Sequence, residues 1–256
     1  MIESKIIEHN PIYLLADSLA LPRPPFRGSQ AVSYQQTYPY LLRSKLKEGH
    51  KQEMVDIELI VNAQRARTMP EAASFWGEVE LFRPSIAIIQ IGIVDCAPRV
   101  FSRRQRTFVE RIRPIGLRSS ILSFVESHRR SIISVLPGKV YTPPIQFSDA
   151  ALTIAKRCFD ANIHLCFVSI APSDQKISDR SPGIQKNIHE YNGILNQVAA
   201  DWHAKFIDLH SAFYPKQEDY LLDDGHHLGI RGHIALADLL AQWVDSGIST
   251  PMLSNK

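Results

Sequence analysis

The chain is short of everything that would staple or anchor it. Its 256 residues include only three cysteines, Cys96, Cys158 and Cys166, with no CxxC pair among them. That argues against a disulfide scaffold or a structural zinc site and leads us to expect a reducing compartment. No apolar run approaches the roughly 20 residues needed to span a bilayer. The opening segment MIESKIIEHNPIYLLADSLALPRPP breaks its apolar stretch with Asp17 and lacks a signal-peptide layout, so a cytoplasmic location is expected. Charge of one sign is also scarce. Lys and Arg number 29 against 26 Asp and Glu, and a net charge of +3 is too small to argue for nucleic acid. Internal repeats and low-complexity runs are absent.

What remains is ordinary globular composition, 45% hydrophobic and 21% charged. A chain of this size can bury a large core without staples. One α/β domain over residues 1–248 is expected, with a frayed tail at 249–256.

Short apolar runs bounded by turn residues mark five strands, at 11–16, 57–61, 86–91, 163–170 and 205–209. Their weak alternation suits parallel strands covered on both faces. Helical spacing of apolar residues marks 148–161, 185–203 and 230–244. Such alternation predicts a three-layer α/β/α sandwich around a parallel sheet. Residues 102–134 break the rhythm with Arg103, Arg104, Arg106, Arg111, Arg113, Arg118, Arg129 and Arg130, interleaved with apolar side chains. One or two inserted amphipathic helices are expected there. They form either a solvated face or a docking surface for an anionic polymer or a lipid head group.

Two short stretches carry chemistry. Ser18 follows the first strand, where a parallel strand delivers residues to the mouth of an α/β sheet. It reads either as a helix N-cap or as a nucleophile. Asp223-Asp224-Gly225-His226-His227-Leu228 precedes the last helix. Serine needs a base to become nucleophilic, and histidine titrates in the right range. A carboxylate on the far ring nitrogen fixes the tautomer. Asp-x-x-His spacing occurs twice, as Asp223/His226 and Asp224/His227, and the same four residues could in principle ligate a metal. No other cluster of ligand spacing supports a metal, so no metal and no cofactor are expected.

Together these stretches resemble the SGNH, or GDSL-type, hydrolase and esterase superfamily. Asp17-Ser18-Leu19 is similar to its first block and Asp224-Gly225-His226-His227-Leu228 to its fifth. Gly92-Ile93-Val94-Asp95 stands where the third block reads Gly-x-Asn-Asp. Ile170-Ala171-Pro172, His189-Glu190-Tyr191-Asn192 and Phe206-Ile207-Asp208-Leu209 fit between, so the likeness runs over most of residues 11–244.

The resemblance implies a flavodoxin-like fold, Ser18 as nucleophile, His227 as general base and acid, and Asp224 as its orienting carboxylate. It also implies an oxyanion and substrate-binding region holding Asp17, Gln64, Arg65, Arg67, Gly92, Asp95 and Arg99, with Arg23 a further candidate. Two departures stand out. The second block, Val61-Asn62-Ala63-Gln64-Arg65-Ala66-Arg67-Thr68, lacks the expected glycine, and Val94 replaces the third-block asparagine. Losing one oxyanion donor typically costs about 10²–10³ in rate, so arginines are candidates to substitute. Asp95 is expected to bind a substrate hydroxyl or to brace Arg99.

The variant third block is similar to that of members found in bacterial surface-polysaccharide clusters. The expected activity is therefore an O-acyl, foremost acetyl, esterase or acyltransferase acting on a carbohydrate, namely an acidic bacterial polysaccharide or its precursor. Two alternatives stand beside it. One is a lipid-directed esterase, such as a lysophospholipase or thioesterase, that touches the membrane through 102–134. The other is a degenerate family member that only binds an anionic glycan.

Overall fold

The computed structural model describes residues 11–25, 30–49, 57–135 and 139–248. The expected tail at 249–256 lies outside them. Five parallel strands form one sheet in the order β2-β1-β3-β4-β5. They are β1 (Ile12–Ala16), β2 (Leu59–Ala63), β3 (Ile86–Gln90), β4 (His164–Val168) and β5 (Lys205–Ile207).

Every residue of β1 is buried. Ile12, Leu14 and Ala16 enter one apolar layer, Tyr13 and Leu15 the opposite one. Successive side chains of a strand point to opposite faces, so a central strand with helices on both sides needs apolar residues throughout. Helices Tyr38–Gly49 and Ile230–Ile248 cover the first face. On the opposite face lie Met69–Ser74, Trp76–Leu81, Pro144–Asp160 and Ile184–Asp201. Buried positions recur at helical spacing, as with Tyr38, Leu42 and Leu46, or Phe147, Ala151, Ile154, Ala155 and Cys158. Each large aliphatic side chain so buried contributes about 1.5–3 kcal/mol.

The chain leaves β1 for β2 on one side of it and reaches β3 on the other. In such a sheet the crevice at the carboxyl ends of the diverging strands is where ligands bind. Ala16 pairs with Ala63 and Gln90, so all three strands end level there.

Several boundaries differ from the sequence reading. The second strand begins two residues later than expected, because the buried Ile57 precedes the pairing of Leu59 with Ile12. The fourth stops at Val168, where the Ile170 N–H donates to the Asn192 side chain instead of a neighbouring strand. The last stops at Ile207, as the Asp208 carboxylate caps the next turn by accepting from the His210 N–H. The Arg-rich segment forms three helices rather than one or two, Arg103–Glu110, Ile115–Ser127 and Arg129–Val135, separated at Pro114 and His128. The helices at 38–49 and 69–81 escaped the sequence reading. Readable signals for them were the i, i+4 row Tyr38, Leu42, Leu46 and the capping box Thr68 with Glu71.

Candidate active site

Ser18 is presented by a tightly fixed turn. The Asp17 N–H donates to the Gln90 carbonyl at 3.0 Å, which extends the sheet one residue past β1. The Asp17 side chain then accepts from the Leu19 N–H at 2.9 Å and caps the short 3₁₀ turn Ser18–Ala20. Leu19 and Ala20 are buried beneath it. Ser18 is thereby left half-buried at the end of the strand, with its N–H at the first position of the turn, where no intrahelical acceptor exists. Burial pushes the Asp17 carboxyl up to about 6, although the Leu19 N–H and the Gln90 side chain favour its ionised form.

The opposing loop is equally constrained. Leu221 pairs with Leu228, and the Leu222 N–H donates to the His227 carbonyl at 2.7 Å. Gly225 at its tip adopts φ 77°, and a Cβ there would fall 2.0 Å from an Asp174 carboxylate oxygen. Only glycine fits this combination of positive φ and close approach. The Asp174 N–H in turn donates to the Gly225 carbonyl at 2.8 Å, so the turn after β4 clamps this loop in place.

Within the loop Asp224 gathers three donors. Its Oδ1 accepts from the His226 N–H at 3.1 Å and the His227 N–H at 3.0 Å. Its Oδ2 lies 2.7 Å from Nδ1 of His227. Burial works to raise the Asp224 carboxyl, but the imidazole and the two backbone N–H groups outweigh it and hold it well below the usual carboxylate range. With Nδ1–H turned to Asp224, Nε2 of His227 offers its lone pair to the Ser18 hydroxyl at 3.2 Å. Two residues 209 positions apart in the chain thus meet across the sheet mouth.

His226 does not take part in this contact. It is buried, and neither ring nitrogen has a partner among the described residues. Burial and the neighbouring His227 push its imidazole down to about 3. His233 is buried on the final helix, stacks on the Tyr38 ring and accepts the Tyr38 N–H at 3.0 Å.

Arg23 also reaches the centre, its Nη2 lying against Nε2 of His227. Mutual pairing of Arg23 and Val32 backbones at 2.9 Å holds it there. Burial works against the Arg23 charge and pulls its guanidinium below the usual range, with the exposed Arg65 nearby adding to this, while Asp224 and Asp17 favour the charge. The mouth therefore carries two guanidinium groups.

The other expected residues are occupied elsewhere. Arg67 is buried and donates to the Asn62 carbonyl, the Asn62 side chain and the Gln64 side chain, at 2.8, 2.8 and 3.0 Å. Gln64 itself is exposed, its amide oxygen serving as one of those acceptors. Both secure the turn after β2, in which Ala66 adopts φ 61°. Asp95 is fully buried and accepts from the Met69 N–H, 3.2 Å from both its oxygens, which ties the segment after β3 to the helix after β2. Burial pushes its carboxyl up to about 7 against the Thr142 and Met69 hydrogen bonds. The expected Asp95–Arg99 brace is not formed. Arg99 instead donates to the Val94 carbonyl at 3.2 Å and lies over the Tyr141 ring at 4.4 Å. Gly92 adopts φ 151°, and a Cβ there would meet Ile170 at 2.5 Å. Val94 is buried and brings no polar side-chain group to the mouth. Among the described residues no group of three or more His, Cys, Asp or Glu could hold a metal ion.

Gln90 was missed in the sequence. It ends β3, is buried, and faces both Asp17 and the Tyr38 hydroxyl, the latter at 3.5 Å. A polar residue closing the apolar run 86–89 was the signal available.

Comparison with known proteins gives a consistent result. The profile of the GDSL-like lipase/acylhydrolase family matches residues 26–235, a span that includes Asp224 and His227 and begins after Ser18. No curated protein matches the chain. Among solved structures, a lipase/acylhydrolase from Enterococcus faecalis is similar at 17% identity and TM-score 0.63, over 96% of this chain and all of that one. An acetylxylan esterase from Geobacillus stearothermophilus is similar at 14% identity and TM-score 0.60, covering 96% of this chain and 97% of its own. A carbohydrate acetylesterase from Sinorhizobium meliloti follows at 14% identity and TM-score 0.57, over 93% and 99%. At these identities the likeness shows a shared fold.

Proposed function

Since the chain belongs to the GDSL-like lipase/acylhydrolase family and is an ester hydrolase of the SGNH type, we propose that Ser18, His227 and Asp224 are its catalytic residues and that it removes short acyl groups, foremost acetyl, from a carbohydrate. The observation that carries this reading is the unbroken chain from the Ser18 hydroxyl to His227 Nε2 at 3.2 Å and from His227 Nδ1 to Asp224 at 2.7 Å.

The Ser18 hydroxyl attacks the ester carbonyl carbon while Nε2 of His227 takes its proton. Asp224 holds the tautomer and stabilises the imidazolium that forms. The carbonyl oxygen becomes an oxyanion, and the Ser18 N–H is the donor nearest to where that charge develops. Collapse breaks the bond to the sugar oxygen, which leaves with the proton from His227. A water molecule, deprotonated by the same nitrogen, then attacks the acyl-serine and releases the acid. A sugar hydroxyl in place of water would give acyl transfer by the same steps.

Arg23 and Arg65 at the mouth support an acidic sugar as substrate, because guanidinium groups pair with carboxylate in a two-pronged geometry. Carbohydrate acetylesterases among the structural neighbours support the acetyl group. The test is covalent labelling by a fluorophosphonate, together with acetate release from an acetylated uronic-acid oligosaccharide. Both are expected in the wild type, with labelling abolished and release reduced at least about 10³-fold in Ser18→Ala. Labelling that persists in the variant overturns the nucleophile. Release of long-chain acyl groups alone replaces the carbohydrate by a lipid.

A further inference from the structure

Positive charge is not spread over this molecule. Residues 102–135 hold eight arginines, no lysine and two glutamates, an excess of six in a chain whose total is +3. The remainder of the chain is therefore acidic by three. This segregation coincides with the region of greatest apolar exposure. Helix Ile115–Ser127 has no buried residue at all. Along it Ile115, Leu117, Leu122 and Phe124 are exposed, Leu117 at 52% and Phe124 at 59%. At 100° per residue Leu117 and Phe124 share one flank and Ile115 and Leu122 the other, with the half-buried Ile121, Val125 and Arg118 between them. Gly116, Ser119, Ser120, Ser123, Glu126 and Ser127 take the opposite side, and the hydroxyls at 119, 120 and 127 turn back onto helix carbonyls.

Beside the exposed apolar side chains lies a groove of about 650 Å³ walled by Arg111, Arg113 and Arg118 with Ile112 and Ile115. The acidic side chain on its rim, Glu110, is drawn off by Arg106 at 2.9 Å. Arg111 and Arg113 are exposed and have no carboxylate partner among the described residues. The insertion is fixed to the body, since Arg129 donates to the Pro98 carbonyl at 2.8 Å and to Ser181 at 3.1 Å. It also leaves the sheet after the carboxyl end of β3, the end at which Ser18 follows β1.

We propose that residues 102–135 are a docking face for an anionic lipid bilayer, with the groove arginines on lipid phosphates and the exposed Leu117–Phe124 flank in the acyl boundary. A soluble acidic polymer would satisfy the arginines but leave Leu117 and Phe124 in water. A second copy of this chain would set two like-charged faces against each other. Only a surface that is both anionic and apolar beneath its charge matches both features. The proposal is independent of which residues catalyse hydrolysis.

The test is co-sedimentation of the full chain with vesicles of phosphatidylcholine alone and of equimolar phosphatidylcholine and phosphatidylglycerol. Binding is expected to the anionic vesicles and not to the neutral ones. Added salt should weaken it without abolishing it, since screening acts on the charges and not on the buried apolar area. The double variant Arg111→Gln/Arg113→Gln should lose about fivefold in partition coefficient per arginine. Leu117→Ser/Phe124→Ser should retain only binding that salt removes. All these side chains are exposed, and an unchanged circular dichroism spectrum verifies the fold of each variant. Equal binding to both vesicle types, or no binding to either, overturns the proposal. So does a Leu117→Ser/Phe124→Ser variant whose binding to the anionic vesicles matches the wild type at every salt concentration, which would make the face a site for charge alone.

Discussion

Strand β1 and helix Ile115–Ser127 are opposite solutions to the same problem. Each is rich in large aliphatic residues, yet all five residues of the strand are buried and none of the helix is. The strand owes its conformation to neighbours on every side, with two flanking strands and two apolar layers. The helix owes its conformation to local hydrogen bonds, to the Glu126–Arg180 ion pair and to the bonds of Arg129 just beyond its end. One region is therefore committed to stability and to presenting Ser18. The other leaves apolar surface uncommitted, which in a folded protein marks a face that something else covers.

The contrast can be tested from its strongest side downward. Leu14→Ala opens a cavity at 0% exposure in the central strand and should cost about 2–5 kcal/mol of folding free energy, read by denaturant unfolding. A loss below about 1 kcal/mol would mean that the sheet body collapses around the gap and is not the rigid half of the molecule.

The titratable groups sharpen the same division, because His226, Asp17 and Asp95 are all buried in the body around the site. A histidine held down at about 3 refuses a proton that the unfolded chain accepts from about 6.5 downward. Folding stability is thus fully present above that range and falls with pH through it, by up to about 1.4 kcal/mol per pH unit for this one group. Asp17 and Asp95 work the other way. Their carboxyls are raised to about 6 and about 7, so the stability they add is present in acid and is lost as pH rises through those values. His226→Phe removes only the first effect and breaks no hydrogen bond among the described residues. Its melting temperature should fall less steeply than that of the wild type as pH drops below about 6.5. Parallel profiles would show that His226 is protonated in the folded protein.

The smallest effect belongs to the insertion. Phe124→Ser, at a side chain 59% exposed, should change folding free energy by no more than about 0.5 kcal/mol. A loss of core magnitude in thermal melting would mean that this helix is packed in solution and is not an open face.

Legibility in the sequence followed the same line between local and distant causes. The strands announce themselves as short apolar runs because burial on both faces demands apolar residues at every position. Their ends did not, since β4 stops where Asn192, 22 residues later in sequence, takes over the Ile170 N–H. In the site, Ser18 and the Asp224–His227 pair stand out because their spacing is local chemistry. The choice between His226 and His227 rested on family likeness, and in the structure His227 is the one that faces Ser18. The arginines were the least legible. Arg23, Arg65, Arg67 and Arg99 look alike in the sequence, and only packing separates the two at the mouth from the one tying β2 and the one stacked on Tyr141.

By itself the sequence determined the alternation of strands and helices, the turn residues that expose Ser18 and the charge concentrated in 102–135, because periodicity, capping and composition are properties of neighbours along the chain. The tertiary structure alone decided that Ser18 meets His227, that Asp95 serves Met69 rather than Arg99, and that Leu117 and Phe124 on helix Ile115–Ser127 stay uncovered. Those outcomes depend on which distant segments the sheet order brings to one end, and no local pattern encodes that distance.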